Sequence, residues 1–460
     1  MPFPRRRAVA RLLAALLLAA GCTRFDPVRA RRDHTAAFTN QLARAVADTM
    51  TEPLTLESCV RLAMARNYAA RQADLQLTLA RLGRDVAFTA FLPTVAAKAG
   101  YTAYDKTPLN SERAFADASI TIGLPLLMPS TWYLFAAQRQ RTAIAETAAF
   151  YVRQGIAVQT AIAYYNTLIA QDTVAALESQ LEAARETADR LRGLAGEGLA
   201  AAWEGDQAAL QADRRAVERN RARRQLDLAR NDLLLLLGLP AGAPIRLAGP
   251  PSEPAPLEGA PEDRVLKALE IHPELAMADR EIVMRQQEVR QAFTAFLPTL
   301  SIFTGPTWTG NDLAAHTANW ISGLTGAWTL FDGLANRARF KAAQLDRSAS
   351  ELAREETLLT IMVQVVAAEA ALRNAVEAAA LDDRAFQVAE ARWADYEAQA
   401  REGLRPLSDA LDASAARDLA QVVLVQRRYQ AAIARANLDL AMGLTALPAE
   451  SPDPNPEPVP

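Results

Sequence analysis

Few residues in this 460-residue chain have the types and spacing that covalent or coordination chemistry needs. The best candidate is Cys22, which ends the run Leu18-Ala-Ala-Gly-Cys22 behind Arg5-Arg6-Arg7 and an apolar stretch to Ala20. That arrangement is a bacterial signal peptide. Its last residues resemble a lipobox, where the signal is cut, the thiol is diacylated and the new N-terminus takes a third acyl chain. The plainer reading is an ordinary cleavage site beside a chance Cys; the chemistry expected on the first reading is firm anchoring to a membrane, because several acyl chains hold far better than one. Thr23, rather than Asp, follows the Cys and points to outer-membrane sorting. Only Cys59 then remains as a thiol, so no intrachain disulfide forms. Cys59 lies in a helical apolar pattern, where a buried inert thiol is the default. His34, His272 and His316 fall in different elements and far apart, which argues against a metal site. The sequence has no phosphate-binding Gly loop and no zinc-spaced Cys cluster. No catalytic residue, metal or cofactor is expected.

The elements that would position such residues are long helices. Half the residues are hydrophobic but only 6% are aromatic, and the 20 Gly and 25 Pro cluster in patches, leaving Ala/Leu/Arg/Glu/Gln segments of high helix propensity. The net charge is −3; losing residues 1–21 removes four Arg and leaves roughly −7. Nucleic acid is not an expected partner.

The octapeptide AFTAFLPT occurs at Ala87–Thr94 and again at Ala292–Thr299, a shift of 205 residues that also carries Gly198-Leu199 onto Gly403-Leu404 and Gly238-Leu239 onto Gly443-Leu444. A tandem duplication follows. Residues 1–21 read as signal peptide, 22–53 as a lipidated segment, 54–239 as a first repeat, 240–261 as a Pro/Gly-rich linker, 262–445 as a second repeat, and 446–460 as an extended tail. Each repeat has the same order. A helix (Leu54–Phe91; Asp263–Phe296) ends at Pro93 or Pro298, and a β-hairpin follows (about 94–126; about 299–331). A long helix (Pro129–Leu194; Asn336–Ala400), a break at Gly193–Gly198 or Gly403–Pro406, and a last helix complete it. In the first long helix, Ile156, Thr160, Ala163, Thr167, Ala170, Val174, Leu177 and Leu181 form a coiled-coil seam, and Ala157, Ala161, Tyr164, Leu168 and Ala175 form a second stripe. Two such faces suit the wall of a cylinder.

In the hairpins Val95, Ala97, Ala99, Tyr101 and Ala103 alternate with Thr94, Lys98, Gly100 and Thr102, and Ala116, Ala118, Ile120, Ile122 and Leu124 with Asp117, Ser119, Thr121 and Gly123. Trp308, Trp320 and Trp328 weight the second hairpin. Apolar-out, polar-in strands of about ten residues with aromatics near their ends suit a transmembrane barrel. Lys98 and Asp117 fall on the lumen side. Four strands cannot close, since open edges would expose backbone polar groups to lipid. Three copies supply twelve, an even number wide enough for an aqueous lumen. The expected fold class is mainly α with a transmembrane β-barrel portion: a long coiled-coil α-barrel plus four strands per chain, completed as a 12-stranded barrel by a homotrimer.

The duplicated halves, the exits Phe91-Leu-Pro93 and Phe296-Leu-Pro298, Trp328-Thr-Leu-Phe-Asp-Gly333 and Ile271-His-Pro-Glu-Leu275 together resemble the TolC family of outer-membrane efflux proteins. The resemblance implies a trimeric channel of a tripartite efflux or type I secretion system. It would pass solutes from an inner-membrane pump (RND, ABC or MFS class) through a periplasmic adaptor and across the outer membrane, with no covalent chemistry. It also implies that Gly198, Leu199, Gly403 and Leu404 sit at periplasmic tips that meet the adaptor; helix termination by Gly explains the glycines equally well. Asp409 and Asp412, just after the second break, are candidates for carboxylate rings at the periplasmic mouth, against the plainer reading of a solvated helix face. The competing function is a periplasmic coiled-coil adaptor or scaffold lipoprotein without a pore.

Overall fold

The computed structural model describes residues 26–49, 53–106, 111–248, 259–405 and 407–444. The signal peptide, Cys22, the rest of the linker and the tail lie outside them. A first helix, α1 (Pro27–Thr49), is exposed along most of its length and packs Ala45 and Val46 of its C-terminal half against the central core. The first repeat then runs α2 (Leu56–Arg66), α3 (Tyr68–Thr89), β1 (Thr94–Ala103), β2 (Ala114–Leu127), α4 (Pro129–Gly196) and α5 (Ala202–Leu236). The second runs α6 (Pro261–Ile271), α7 (Pro273–Phe293), β3 (Thr299–Thr309), β4 (Ala318–Ala327), α8 (Ala335–Arg401) and α9 (Leu407–Ala441).

The leading helix of each repeat, read from the sequence as continuous, is two helices broken at Asn67 and at His272. Both residues are extended (φ −63°, ψ 132°; φ −64°, ψ 126°) and serve as C-cap of one helix and N-cap of the next. At His272 the cause is local, because Pro273 disfavours α geometry in the residue before it. Asn67 reaches the same conformation without a proline, through its side chain, which accepts a hydrogen bond from the Ala69 N–H at 2.8 Å.

α4 (68 residues) and α8 (67 residues) are each about 100 Å long at ~1.5 Å per residue. Toward the sheet the helices pack in the order α3, α4, α7, α8; away from it the order is α5, α4, α9, α8. α4 is therefore covered on both sides. Its seam residues Ile156, Thr160, Thr167, Ala170, Val174 and Leu181 are buried, with Ala163 and Leu177 half-buried. Of the second stripe, Ala161, Tyr164 and Leu168 are buried in the central core and Ala157 is buried outside it, while Ala175 lies beyond that core and is exposed. That core gathers Cys59, Ala63, Tyr164, Leu168, Leu233, Leu234 and Leu237 with Tyr429 of α9, so the two repeats share it. Its smaller counterpart in the second repeat contains Ala268, Leu275, Ile361, Val365, Leu372 and Leu438.

The start of the expected linker is docked rather than loose. Leu54 bridges Leu247 in parallel, the Leu54 N–H donates to the Arg246 carbonyl (2.8 Å) and the Ala248 N–H to that of Leu54 (2.9 Å), and Ala243 and Ile245 are buried.

The two hairpins merge into one antiparallel sheet of order β1-β2-β3-β4, because β2 also pairs with β3. Gly305 permits the central pairing: a Cβ there would stand 1.9 Å from the Ile120 carbonyl oxygen, so the backbones approach more closely than any side chain allows.

Candidate functional site

The register puts like with like. Val95 stands opposite Ile122, Ala97 opposite Ile120, Leu124 opposite Ile302, and Ile302 opposite Leu324. On the other face Lys98 stands opposite Ser119, Asp117 opposite Gly100 and Thr309, and Thr307 opposite Asn319. One face of the sheet is thus apolar across all four strands and the other is mostly hydroxyl, glycine and alanine, as the alternation predicts. Two aliphatic hydroxyls interrupt the apolar face, and they are satisfied in place: Thr304 and Ser322 Oγ atoms are hydrogen-bonded at 2.6 Å, and Trp320 Nε1–H donates to Thr304 Oγ1 at 2.9 Å. A surface meant for lipid needs such internal pairing, since no water is there to supply it.

Where helix gives way to strand, the duplicated octapeptides build matching aromatic clusters. Phe88, Phe91 and Phe135 form one triangle with ring centroids 5.8–6.1 Å apart, and Phe293, Phe296 and Phe340 form the other at 6.0–6.4 Å. Offsets of 205 residues relate all three pairs. Leu92, Trp132, Leu297, Trp328 and Phe331, at the same crossings between helix and strand, are exposed, and Trp328 donates from Nε1 to the Phe296 carbonyl at 3.1 Å.

At the far end, α4 and α8 stop with the same hydrogen-bonded turn. The Leu199 N–H donates to the Leu194 carbonyl (2.8 Å) and the Gly198 N–H to that of Ala195 (3.1 Å); Leu404 and Gly403 repeat this with Gln399 and Ala400. Gly198 and Gly403 have φ of +75° and +74°, which glycine adopts without the Cβ penalty. Gly238-Leu239 and Gly443-Leu444 close α5 and α9 in the same way. The leucines differ. Leu239 is 6% exposed and packs into the central core, whereas Leu199 and Leu404 are 71% and 74% exposed. A leucine in this position ordinarily folds back onto its helix; these two project into solvent at the tips.

Beside the second tip, Arg405 stacks over Tyr396 (4.0 Å to the ring centroid), donates to Gln399 Oε1 (2.9 Å) and pairs with Asp409 at 3.2 Å. Asp412 is exposed. Arg417 stacks over Trp393 at 4.1 Å. The sequence reading did not find these cation–aromatic stacks, although an arginine-aromatic spacing on facing helices is their only linear trace.

The chemistry-bearing residues are not brought together. Cys59 is fully buried and burial pushes its thiol up to about 12, so it is unreactive at neutral pH. His272 is buried, and His34 and His316 lie in α1 and beyond β3. Among the described residues no group of three His, Cys, Asp or Glu could hold a metal ion. What the sequence did not disclose is a buried ion pair: Arg264 donates from Nε and Nη2 to Glu369 at 2.9 and 2.6 Å, and Arg373 adds a contact at 2.6 Å. Offset by 205 residues, its places in the first repeat are held by Cys59 and Tyr164.

Comparison with known proteins agrees with this layout. A solved membrane protein from Pseudomonas aeruginosa superposes with a TM-score of 0.72 at 21% identity, covering 85% of this chain and 90% of that one. The CmeC outer membrane channel of Campylobacter jejuni gives 0.72 at 17% identity over 84% and 85% of the two chains. The MtrE outer membrane channel of Neisseria gonorrhoeae gives 0.69 at 19% identity over 85% and 89%. At these identities the likeness is one of fold: a helical barrel continued by a β-barrel portion. No curated protein matches the chain by sequence. The family model of outer membrane efflux proteins matches residues 59–239 and 265–444, one segment for each repeat. The resemblance drawn from the doubled Phe-Leu-Pro exits is borne out, and the chain belongs to the outer membrane efflux protein family.

Proposed function

We propose that three copies of this chain close into a continuous conduit across the outer membrane. It passes solutes to the exterior from an inner-membrane pump of the RND, ABC or MFS class by way of a periplasmic adaptor. One observation carries the reading: among the described residues every layer of the fold ends in an unpaired edge. The sheet stops at β1 and β4, the upper helices at α3 and α8, and the lower helices at α5 and α8. The edges are sticky. α8 is apolar enough in composition to cross a membrane, yet Leu345, Leu352, Leu359 and Val366 recur at heptad spacing and are each more than half exposed. On the opposite edge Tyr68, Leu75, Leu79, Leu82 and Val86 of α3 and Leu210, Val217, Leu228 and Leu235 of α5 are exposed as well. An edge of one kind on each side favours head-to-tail packing of copies into a ring. Twelve strands are an even number that leaves a lumen.

In this assembly the apolar sheet face meets lipid, and the polar face and helices enclose water. Acylated Cys22 adds a lipid anchor. Leu199 and Leu404, turned outward at the tips beside Gly198 and Gly403, are the contacts for the adaptor. Asp409 and Asp412 lie near the periplasmic mouth, Asp409 already held by Arg405. A scaffold without a pore would leave the apolar sheet face in water, which disfavours it.

The test is the purified protein in detergent and in planar bilayers. A trimer with single-channel conductance is expected, and Leu352→Asp with Leu359→Asp should yield monomers. A monomeric wild type without conductance would overturn the reading.

A further inference from the structure

The 45 residues of the four strands contain two charged side chains, Lys98 and Asp117. Both lie on the polar face. Lys98 stands opposite Ser119 and Asp117 opposite Gly100, so they occupy diagonal positions on neighbouring strands one rung apart. The Asp117 carboxylate is laid over Gly100, where a Cβ would meet its Oδ1 at 2.7 Å, and both charged side chains are exposed. Around them the face carries Thr94, Thr102, Thr121, Thr307, Thr325 and glycines, groups that wet a surface without charging it.

We propose that Lys98 and Asp117 are a self-cancelling pair that makes the barrel indifferent to the sign of its cargo. The inference rests on the conduit reading and deepens it. Lone lysines repeated around a lumen would set up a field that concentrates anions and repels cations; lone aspartates would do the reverse. A carboxylate within one diagonal of each lysine, less than a Debye length away in physiological salt, leaves a dipole whose field fades across the pore. Solutes of either charge then meet no electrostatic barrier at the exit, and any selection by charge is left to the helical portion and its partners.

The pair can be read from outside the cell by a cysteine placed between the charges. Ser119 faces Lys98 directly and lies two residues from Asp117 on the same face, whereas its neighbour Ala118 is on the apolar face. Buried Cys59 adds no reactive background, and the protein without an added cysteine serves as control. Whole cells carrying Ser119→Cys are treated with impermeant methanethiosulfonates bearing a trimethylammonium or a sulfonate group. Each rate is divided by that for a free thiol, so that any change in the thiol itself cancels in the cation-to-anion ratio. The ratio is expected near one. Lys98→Gln should raise it about tenfold and Asp117→Asn should lower it about tenfold, because one unit charge about 6 Å away in water shifts the cation and the anion about threefold each, in opposite senses. The double variant should return it to one. A ratio that neither single substitution moves overturns the inference while leaving the conduit intact. If Ala118→Cys reacts as fast as Ser119→Cys, no lipid covers the apolar face, and the conduit reading falls with everything built on it.

Discussion

His272 occupies in the second repeat the position that Asn67 occupies in the first, and the two side chains close the same turn with different atoms. Asn67 Oδ1 accepts from the Ala69 N–H, and its Nδ2 donates to the Leu236 carbonyl at 3.1 Å, one of the groups left over at the end of α5. His272 Nδ1 accepts from the Glu274 N–H at 3.2 Å, but its buried Nε2 finds no partner among the described residues. Its ring rests edge-on against Tyr151, centroids 5.7 Å apart.

That difference predicts a pH dependence. Burial holds the His272 pKa below its ordinary value, with Glu274 pulling weakly the other way. In the unfolded chain the imidazole takes up a proton near pH ~6.5 while the folded state stays neutral, so stability falls as pH drops through that value toward the folded pKa. His272→Asn removes the titrating group and supplies an Nδ2 for the equivalent carbonyl, that of Ala441. Its unfolding midpoint in detergent should fall less than that of the wild type between pH 7.5 and 5. At pH 7.5 the variant should lie within about 1 kcal/mol of wild type, the new hydrogen bond offsetting the lost aromatic contact. An unchanged acid response would rule this out.

The buried pair of Arg264 and Glu369 should behave asymmetrically. Removing one partner leaves an uncompensated buried charge, so Arg264→Ala or Glu369→Ala should each cost about 3 kcal/mol or more. The double change to Met and Leu should cost less than either, because the first repeat fills the same places with Cys59 and Tyr164 and packs there without charge. Denaturant unfolding of the three variants gives the comparison; a double variant as unstable as the sum of the singles would exclude the argument. Hydrogen bonding to Arg264 holds the Glu369 pKa below its ordinary value. The pair's contribution is therefore complete above the unfolded carboxyl pKa of about 4.3 and is lost as pH falls through the lower folded value.

Leu199, Leu404 and Leu239 sit in the same turn and should separate binding from stability. Leu239→Ser should cost about 2 kcal/mol or more, since it buries a hydroxyl in the central core. Leu199→Ser with Leu404→Ser should leave the stability within about 0.5 kcal/mol of wild type. The same double variant should weaken crosslinking of the periplasmic adaptor to the tips at least tenfold in cells. Undiminished crosslinking would remove these leucines from the docking surface.

The sequence disclosed what is local and periodic. The proline exits, the Gly-Leu turns, the alternation of the strands and the seam of α4 are each written within a few residues, and the doubled octapeptide aligned them. The long-range pairings were not legible. Nothing near β2 or β3 announces the register in which they join, because that contact depends on two backbones meeting at Gly305. Arg264 and Glu369 are 105 residues apart, and each alone looks like a solvated charge on a helix. The break at Asn67 has its signal in the other repeat: the His-Pro step at 272, where the resemblance puts a helix start, falls on it when carried back by 205 residues. α1 escaped notice because it packs on little and so shows no apolar stripe.

The equal lengths of the paired helices have a metric consequence. α5 and α9 have 35 residues each, α4 and α8 have 68 and 67, and the anchors of the two repeats keep a constant offset from end to end. The molecule is a ruler graduated in turns of helix. Lengthening one helix alone would throw its tip out of level with the others and rotate its seam off its neighbour. The distance this protein spans beneath its membrane can change only when all four helices gain or lose the same whole heptads together, about 10 Å at a time.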